Sequence, residues 1–263
     1  GPSGQASYFV TVRDSNGCVE SDSVFVLEPA LLVIDSFSIN EVSCYGGSDG
    51  EITVHHSGGT QGFSYNWSNL QTTQTVIGLS IGTFSVIVTD TNGCTDTSVS
   101  VIMTQPDSLY IPSITSTDVL CNGGNDGTAT VTAQGGVLPY SYLWSNGDMT
   151  QTANMSAGNY SVDVTDFNGC VVSASIIVNE PAALVTDSFV MDSVFCFGFS
   201  DGSAMIYISG GVTPYTYLWD NGENTVLADS LDAGYHIVTI TDFNNCLHTD
   251  SVEVLEPAAS VSI

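Results

Sequence analysis

Four copies of one short string impose a fixed period on this chain. Asp-x-Asn-Gly-Cys occurs at Asp14–Cys18, Asp90–Cys94 and Asp166–Cys170, and returns as Asp242-Phe-Asn-Asn-Cys246. The cysteines that close these strings are spaced by 76 residues each time. A second string, Cys-x-Gly-x-x-Asp-Gly, runs at Cys44–Gly50, Cys121–Gly127 and Cys196–Gly202, at spacings of 77 and 75. A third marker is a proline after a strand-like run: Glu28-Pro29, Gln105-Pro106, Glu180-Pro181 and Glu256-Pro257. Three independent markers at one period define an array of repeats. Proline fixes its own φ and biases its predecessor toward extended structure, so each one marks a short, stiff joint. Complete repeats are expected over 30–106, 107–181 and 182–257. Residues 1–29 read as the last two strands of an earlier repeat, with 1–4 (Gly-Pro-Ser-Gly) set aside as a tag scar. Residues 258–263 read as the opening of a further repeat.

Each repeat reads as all-β. Tyr8-Phe-Val-Thr-Val, Phe84-Ser-Val-Ile-Val-Thr and Tyr160-Ser-Val-Asp-Val-Thr alternate apolar and polar residues with period two, and no segment shows helical periodicity. Gly58-Gly59, Gly135-Gly136 and Gly210-Gly211 punctuate the strands, and the Asn-Gly pairs are turn residues that tolerate positive φ. Six or seven short strands in about 76 residues suit tandem immunoglobulin-like β-sandwich repeats placed end to end, and termini at opposite poles favour the odd count.

The chain has 28 acidic residues against one basic residue, Arg13, and a formal charge of −27. Such a surface cannot neutralise phosphates, which excludes nucleic acid as a partner, and it is repelled by anionic lipid. Acidity of this kind keeps an extracellular polymer soluble. No stretch approaches the ~20 apolar residues of a membrane span, so no membrane insertion is expected. An export signal is expected elsewhere in the parent protein.

Seven cysteines divide as two per whole repeat plus one. The expected disulfides are Cys44–Cys94, Cys121–Cys170 and Cys196–Cys246, with Cys18 left unpaired by truncation. Each would close a loop of 49 or 50 residues, worth roughly 4 kcal/mol in the chain-entropy model, in an oxidising compartment. Clustered Cys/His ligands at zinc spacing are absent from the sequence. Phe63, Tyr65 and Trp67, Tyr140, Tyr142 and Trp144, and Tyr215, Tyr217 and Trp219 follow i, i+2, i+4, which puts each trio on one strand face. A core built around the tryptophan and the disulfide is favoured over a sugar-stacking platform.

If each disulfide lies within its repeat, two acidic loops meet at one pole. Asp49, Asp90 and Asn92 would then offer oxygen ligands to calcium, as would Asp126, Asp166 and Asn168, or Asp201, Asp242 and Asn244. The competing reading, in which each Asp caps its own turn, is favoured over a bound cation. His55 and His56 are adjacent on a strand and face opposite sides, and His236 stands where other copies carry Tyr8, Phe84 and Tyr160, which suggests a satisfied, half-buried histidine. Nothing in the sequence points a base at a nucleophile, so no enzyme is expected.

The combined string resembles the SprB repeat of giant surface adhesins of gliding Bacteroidetes. Copy 107–181 carries every element: Cys121–Gly127, then Gly135-Gly136-Val-Leu-Pro139-Tyr-Ser-Tyr-Leu-Trp144-Ser-Asn-Gly147, then Ala157-Gly158-Asn-Tyr160, then Asp166–Cys170. Copy 30–106 departs at Gln61-Gly62-Phe63 and Ile81-Gly82, and copy 182–257 at Asn245 and His236. The aromatic strand is also similar to that of polycystic-kidney-disease-type sandwiches. The resemblance implies secretion by the type IX route, display on the outer cell surface, and a stalk that supports adhesion or gliding. The alternatives are a module that binds glycans or proteins multivalently, and accessory repeats of a secreted enzyme. The implied partners are neighbouring repeats of the same chain and surface glycans or other adhesive targets. It also implies O-glycosylation at Asp-Ser followed by an aliphatic residue, which here selects Ser23, Ser108, Ser193, Ser230 and Ser251.

Overall fold

A computed structural model describes residues 5–258. Residues 1–4, read above as a tag scar, and 259–263, read as part of a further repeat's opening, lie outside the described residues. Every regular element in the described chain is a strand. A hairpin comes first, β1 (Gln5–Arg13) paired with β2 (Val19–Leu27). Copy 30–106 follows with β3 (Val33–Asn40), β4 (Gly50–Ser57), β5 (Ser64–Trp67), β6 (Thr75–Leu79), β7 (Gly82–Phe84), β8 (Val86–Thr89), β9 (Thr95–Thr97) and β10 (Val101–Met103). Copy 107–181 holds β11 (Tyr110–Thr117), β12 (Gly127–Gln134), β13 (Ser141–Trp144), β14 (Thr152–Met155), β15 (Gly158–Thr165) and β16 (Val171–Val178). Copy 182–257 holds β17 (Val185–Asp192), β18 (Gly202–Ser209), β19 (Thr216–Trp219), β20 (Leu227–Leu231), β21 (Gly234–Thr241) and β22 (Leu247–Val254).

The described chain divides into two compact units. The first runs up to Leu109 and takes in Gly135–Pro139 and Asp166–Cys170. The second takes Tyr110–Gln134, Tyr140–Thr165 and the chain from Val171 on.

The third copy shows the plan. Two three-stranded antiparallel sheets, β17-β18-β20 and β19-β21-β22, enclose one core. Period-two alternation supplies that core, as Ala204 and Ile206 of β18 and Val238 and Ile240 of β21 point inward. Trp219 is fully buried and its indole N–H donates to the Thr225 carbonyl (3.0 Å). Trp67 and Trp144 are buried in the same way, donating to Thr73 and Thr150 (2.9 Å each). The aromatic trios therefore serve the cores.

The third copy has six strands, and its poles are still opposite. β19 begins opposite the end of β21, and β20 ends against the start of β18 at Gly202. Both run in the same direction, because the chain between them changes sheet without reversing. The odd count expected from end-to-end placement is thus unnecessary.

Differences in repeat length are β-bulges. From the tryptophan to the turn aspartate there are 23 residues in the first and third copies and 22 in the second. In the first copy Gly50 faces Leu79 while Glu51 faces Ile77, leaving Gly78 extra at φ 72°. In the third, Gly202 faces Leu231 and Ala204 faces Ala228, with Ser230 at φ 58°. The second copy pairs without interruption from Gly127–Met155 to Thr130–Thr152. The first copy also has 12 residues from turn cysteine to proline, where the others have 11. There Ser98 enters the ladder, accepting from Val86 N–H through its hydroxyl (2.9 Å) and donating its own N–H back to the Val86 carbonyl (2.9 Å). One long hairpin is thereby broken into β7, β8, β9 and β10.

Candidate functional site at the cysteine loops

The Asp-x-Asn-Gly-Cys string folds as an Asx turn built on its carboxylate. Asp90 Oδ1 accepts from Asn92 N–H (2.9 Å) and Cys94 N–H (2.8 Å), and Oδ2 accepts from Thr60 N–H (2.9 Å). Asp166 accepts from Asn168, Cys170 and Val137 (3.0, 2.9 and 2.9 Å). Asp242 does the same with Asn244, Cys246 and Val212 (2.8, 2.9 and 2.8 Å). The carboxylates are buried and their lone pairs are engaged by backbone donors. Hydrogen bonds from the Thr60 backbone, then from Cys94 and Asn92, hold the Asp90 carboxyl below the usual range against the opposing effect of burial. The glycine of the string lies at φ 84–91°, and Asn245, which replaces it in the third copy, lies at φ 66°. Asparagine is the side chain that best tolerates this left-handed backbone.

The Cys-x-Gly-x-x-Asp-Gly loop is capped by its own aspartate, six residues on from the amide it binds. Ser43 N–H donates to Asp49 (3.1 Å), Leu120 N–H to Asp126 (3.1 Å), and Phe195 N–H to Asp201 (2.9 Å). The Ser43 hydroxyl also donates to Asp49 and is the leading cause of that carboxyl's lowered pKa. The residue before each proline completes the loop. Gly46 N–H binds the Gln105 side chain (2.8 Å), Gly123 N–H binds Glu180 (2.6 Å), and Gly198 N–H binds Glu256 (3.2 Å). The loop's last glycine is a close-packing position. A Cβ on Gly50, Gly127 or Gly202 would meet the Leu79, Met155 or Leu231 carbonyl at 2.8–3.1 Å.

The disulfides differ from those expected. Cys44 bonds to Cys170, with Cα atoms 5.7 Å apart, and Cys121 bonds to Cys246, at 5.6 Å. Cys18, Cys94 and Cys196 are free and exposed. The expected pairs Cys44–Cys94, Cys121–Cys170 and Cys196–Cys246 are overturned, and strand geometry explains why. The Cys44 loop precedes β4, whereas the Cys94 turn is bonded to Thr60, beyond the far end of β4. Eight extended residues hold the two apart by roughly 25 Å, when a disulfide needs Cα atoms within ~7 Å. Cys196 and Cys246 stand at the two ends of β18 in the same relation. A loop cysteine can therefore reach only the turn of a different copy. Nor does any cystine pack on a tryptophan, since the cysteines sit in the connections and the core clusters contain none.

The calcium sets fail for the same reason. Asp49 and Asp90 lie at opposite ends of β4, as Asp201 and Asp242 lie at opposite ends of β18, and each carboxylate is occupied by backbone donors. Among the described residues no cluster of three or more His, Cys, Asp or Glu could hold a metal.

Asparagine, read from sequence as a cation ligand, instead joins the copies. Asn168 Nδ2 donates to the Ser43 carbonyl (2.8 Å), and Asn244 Nδ2 to the Leu120 carbonyl (2.8 Å). In both cases the acceptor is the residue before the bonded loop cysteine. Asn92, whose turn has no such loop, folds back on the Thr60 hydroxyl (2.9 Å). The period alone carried the signal for this role, since the asparagine recurs with the cysteine but has no function inside its own turn.

Each histidine has a local hydrogen-bonding partner, although Nδ1 of His56 is buried without one. His236 is buried, with Nδ1 3.1 Å from the Asp220 carboxylate and Nε2 3.0 Å from the Asp232 carbonyl. Two acceptors require both nitrogens to carry protons. Burial is the largest single influence and opposes the charge, but the Asp232 carbonyl and the Asp220 carboxylate outweigh it and the pKa is raised. His55 meets Ser38 (2.7 Å) and His56 meets Tyr65 (2.9 Å), on opposite faces of β4. Ser23, Ser108, Ser193, Ser230 and Ser251 are all exposed. No helix among the described residues is long and apolar enough to cross a membrane.

A family model described as the SprB repeat matches residues 36–72, 113–149 and 188–224. Each match spans the cysteine loop and the buried tryptophan and stops before the Asp-x-Asn-Gly-Cys turn. No curated protein matches the chain. Similar solved structures include the N-terminal eight Ig domains of Down Syndrome Cell Adhesion Molecule isoform 1.30.30, at 13% identity and TM-score 0.37, covering 98% of this chain and 44% of that one. Sidekick-1 immunoglobulin domains 1-5 match at 11% identity and TM-score 0.34, covering 95% of this chain and 66% of that one. Domains 7, 8 and 9 of the S-layer protein SbsC match at 10% identity and TM-score 0.27, covering 90% and 100%. The chain spans less than half of the first of these, and at such scores the fold rests on the strands described above.

Proposed function

Because this chain is an array of SprB repeats, we propose that it is a load-bearing structural segment of a cell-surface protein, one that extends an adhesive part rather than catalysing a reaction. The observation that carries this reading is the pair of disulfides, each of which bonds one copy to the next. A bond inside a repeat would stabilise that repeat alone. A bond between copies adds a second covalent link across the proline joint, beside the backbone. The acidic surface, with 28 carboxylates against one arginine, would keep such an array soluble and unaggregated outside the cell. The hairpin β1–β2 carries the same Asx turn at Asp14 and fits the tail of an earlier repeat. The exposed Asp-Ser serines are sites where a surface polymer of this kind would carry glycans. Burial of all three tryptophans removes the aromatic platform that a sugar-binding reading would use.

Small-angle scattering tests the stalk. A compact globule of 263 residues has a radius of gyration of about 18 Å, whereas three sandwiches in line should exceed about 25 Å. The larger value is expected, and a value near 18 Å would sink the proposal.

A further inference from the structure

Each joint has two halves. One is the Cys-x-Gly loop, the other the Asp-x-Asn-Gly-Cys turn. Two joints are closed, and both use the same pair of bonds: a disulfide, and an asparagine Nδ2 donating at 2.8 Å to the carbonyl before the loop cysteine. The Cys196 loop is built like the two occupied loops, with Phe195 N–H on Asp201 and Gly198 N–H on Glu256. Its cysteine is free, and beside it lies an open cleft lined by Ser193, Val194, Phe195, Leu255, Glu256 and Pro257. Phe195 is 86% exposed, an apolar ring left in water at the lip of that cleft. The Cys94 turn is the matching half. It keeps its three carboxylate bonds, its thiol is free, and its asparagine rests on Thr60.

We propose that the Cys196 loop is a docking site for the Asp-x-Asn-Gly-Cys turn of another SprB repeat, and that the Cys94 turn of a second copy of this chain can fill it. The asparagine then moves from the Thr60 hydroxyl to the Phe195 carbonyl of the other copy. The pairing is loop to turn, so it is heterologous and propagates rather than closing as a symmetric dimer. Bond formation joins the Cys94 and Cys196 sulfurs. The two thiols give up two protons and two electrons to a small-molecule disulfide such as oxidised glutathione, which leaves as two thiols. The inference rests on the geometry of the joints and not on an adhesive role.

The test is incubation of the full chain in a reduced/oxidised glutathione buffer, followed by non-reducing electrophoresis and disulfide peptide mapping. A ladder of multimers is expected, in which Cys196 is bonded to a turn cysteine, Cys94 or Cys18. Cys18→Ser keeps the ladder through Cys94, and Cys196→Ser remains monomeric. In the Cys18→Ser background, Asn92→Ala slows linkage about fivefold, the loss of one neutral hydrogen bond. No ladder, a ladder that survives Cys196→Ser, or Cys196–Cys196 and Cys94–Cys94 bonds as frequent as Cys94–Cys196 would each overturn the proposal. An unchanged rate in Asn92→Ala would reduce the joint to chance thiol collision and overturn it as well.

Discussion

The turns at Asp90–Cys94 and Asp166–Cys170 share a sequence form and the same three carboxylate bonds, yet one is closed on itself and the other is joined to a foreign loop. Asn92 returns to Thr60, 2.9 Å away in its own copy, while Asn168 reaches the Ser43 carbonyl at 2.8 Å. Cys94 is a free thiol and Cys170 a half-cystine. The difference separates two jobs within five residues. The aspartate builds the turn whether or not a neighbour is present. The asparagine and cysteine act only on a neighbour, and when none is there they leave the turn unchanged.

Removing the aspartate should therefore have the largest effect and strike both kinds of turn. Asp166→Ala strips the acceptor from three backbone donors, and a cost of about 3 kcal/mol is expected, roughly 15 °C in melting temperature for a domain of this size. The yield of Cys44–Cys170 in oxidative refolding should fall with it. Calorimetry and a non-reducing peptide map check both, and an unchanged melt would mean that the turn forms without its carboxylate.

The asparagine should distinguish the two turns. Asn168→Ala is expected to weaken the joint by about 1 kcal/mol, so that Cys44–Cys170 is reduced at about fivefold less reductant in a glutathione titration. Asn92→Ala, whose amide bonds only to an exposed hydroxyl, should leave thermal stability within about 0.5 kcal/mol. Equal effects at the two positions would erase the division of labour.

Much of this was legible in the residues, and what was not has a definite cause. Period, strand alternation, the buried tryptophans and the turn aspartates are local properties, and local patterning specifies them. Cysteine partners are not local. Pairing within a copy and pairing to the next copy keep the same 76-residue period, so the spacing cannot choose between them. The choice lay in the length of one strand. Gly50–Ser57 is eight residues of extended chain between the Cys44 loop and the bonding partner of the Cys94 turn, which is too far for one disulfide to span. The calcium sets were built on the wrong pairing and fell with it. The one-residue differences in spacing were visible as numbers, but only the registers at Gly78, Ser230 and Ser98 identify them as bulges.

The smallest effect concerns acid and the free turn. With no foreign loop engaged, the Asp90 carboxylate anchors that turn together with the Asn92 amide on Thr60 and the Thr91 hydroxyl on Gln61, and the Thr60 amide is the first of the donors that lower its pKa. A carboxyl whose folded pKa lies below its unfolded value, 3.8 here, contributes its full stability above that value. That contribution is lost as pH falls through the folded pKa. With Trp144→Phe and Trp219→Phe in place, Trp67 fluorescence reports the first copy alone. Its urea midpoint should hold steady from neutrality to about pH 5 and decline below about pH 4, and Asp90→Asn should flatten that decline while lowering the midpoint at neutral pH. If the acid limb persists undiminished in Asp90→Asn, some other carboxylate governs the copy, and the free turn draws its stability from a source it does not share with the joined one.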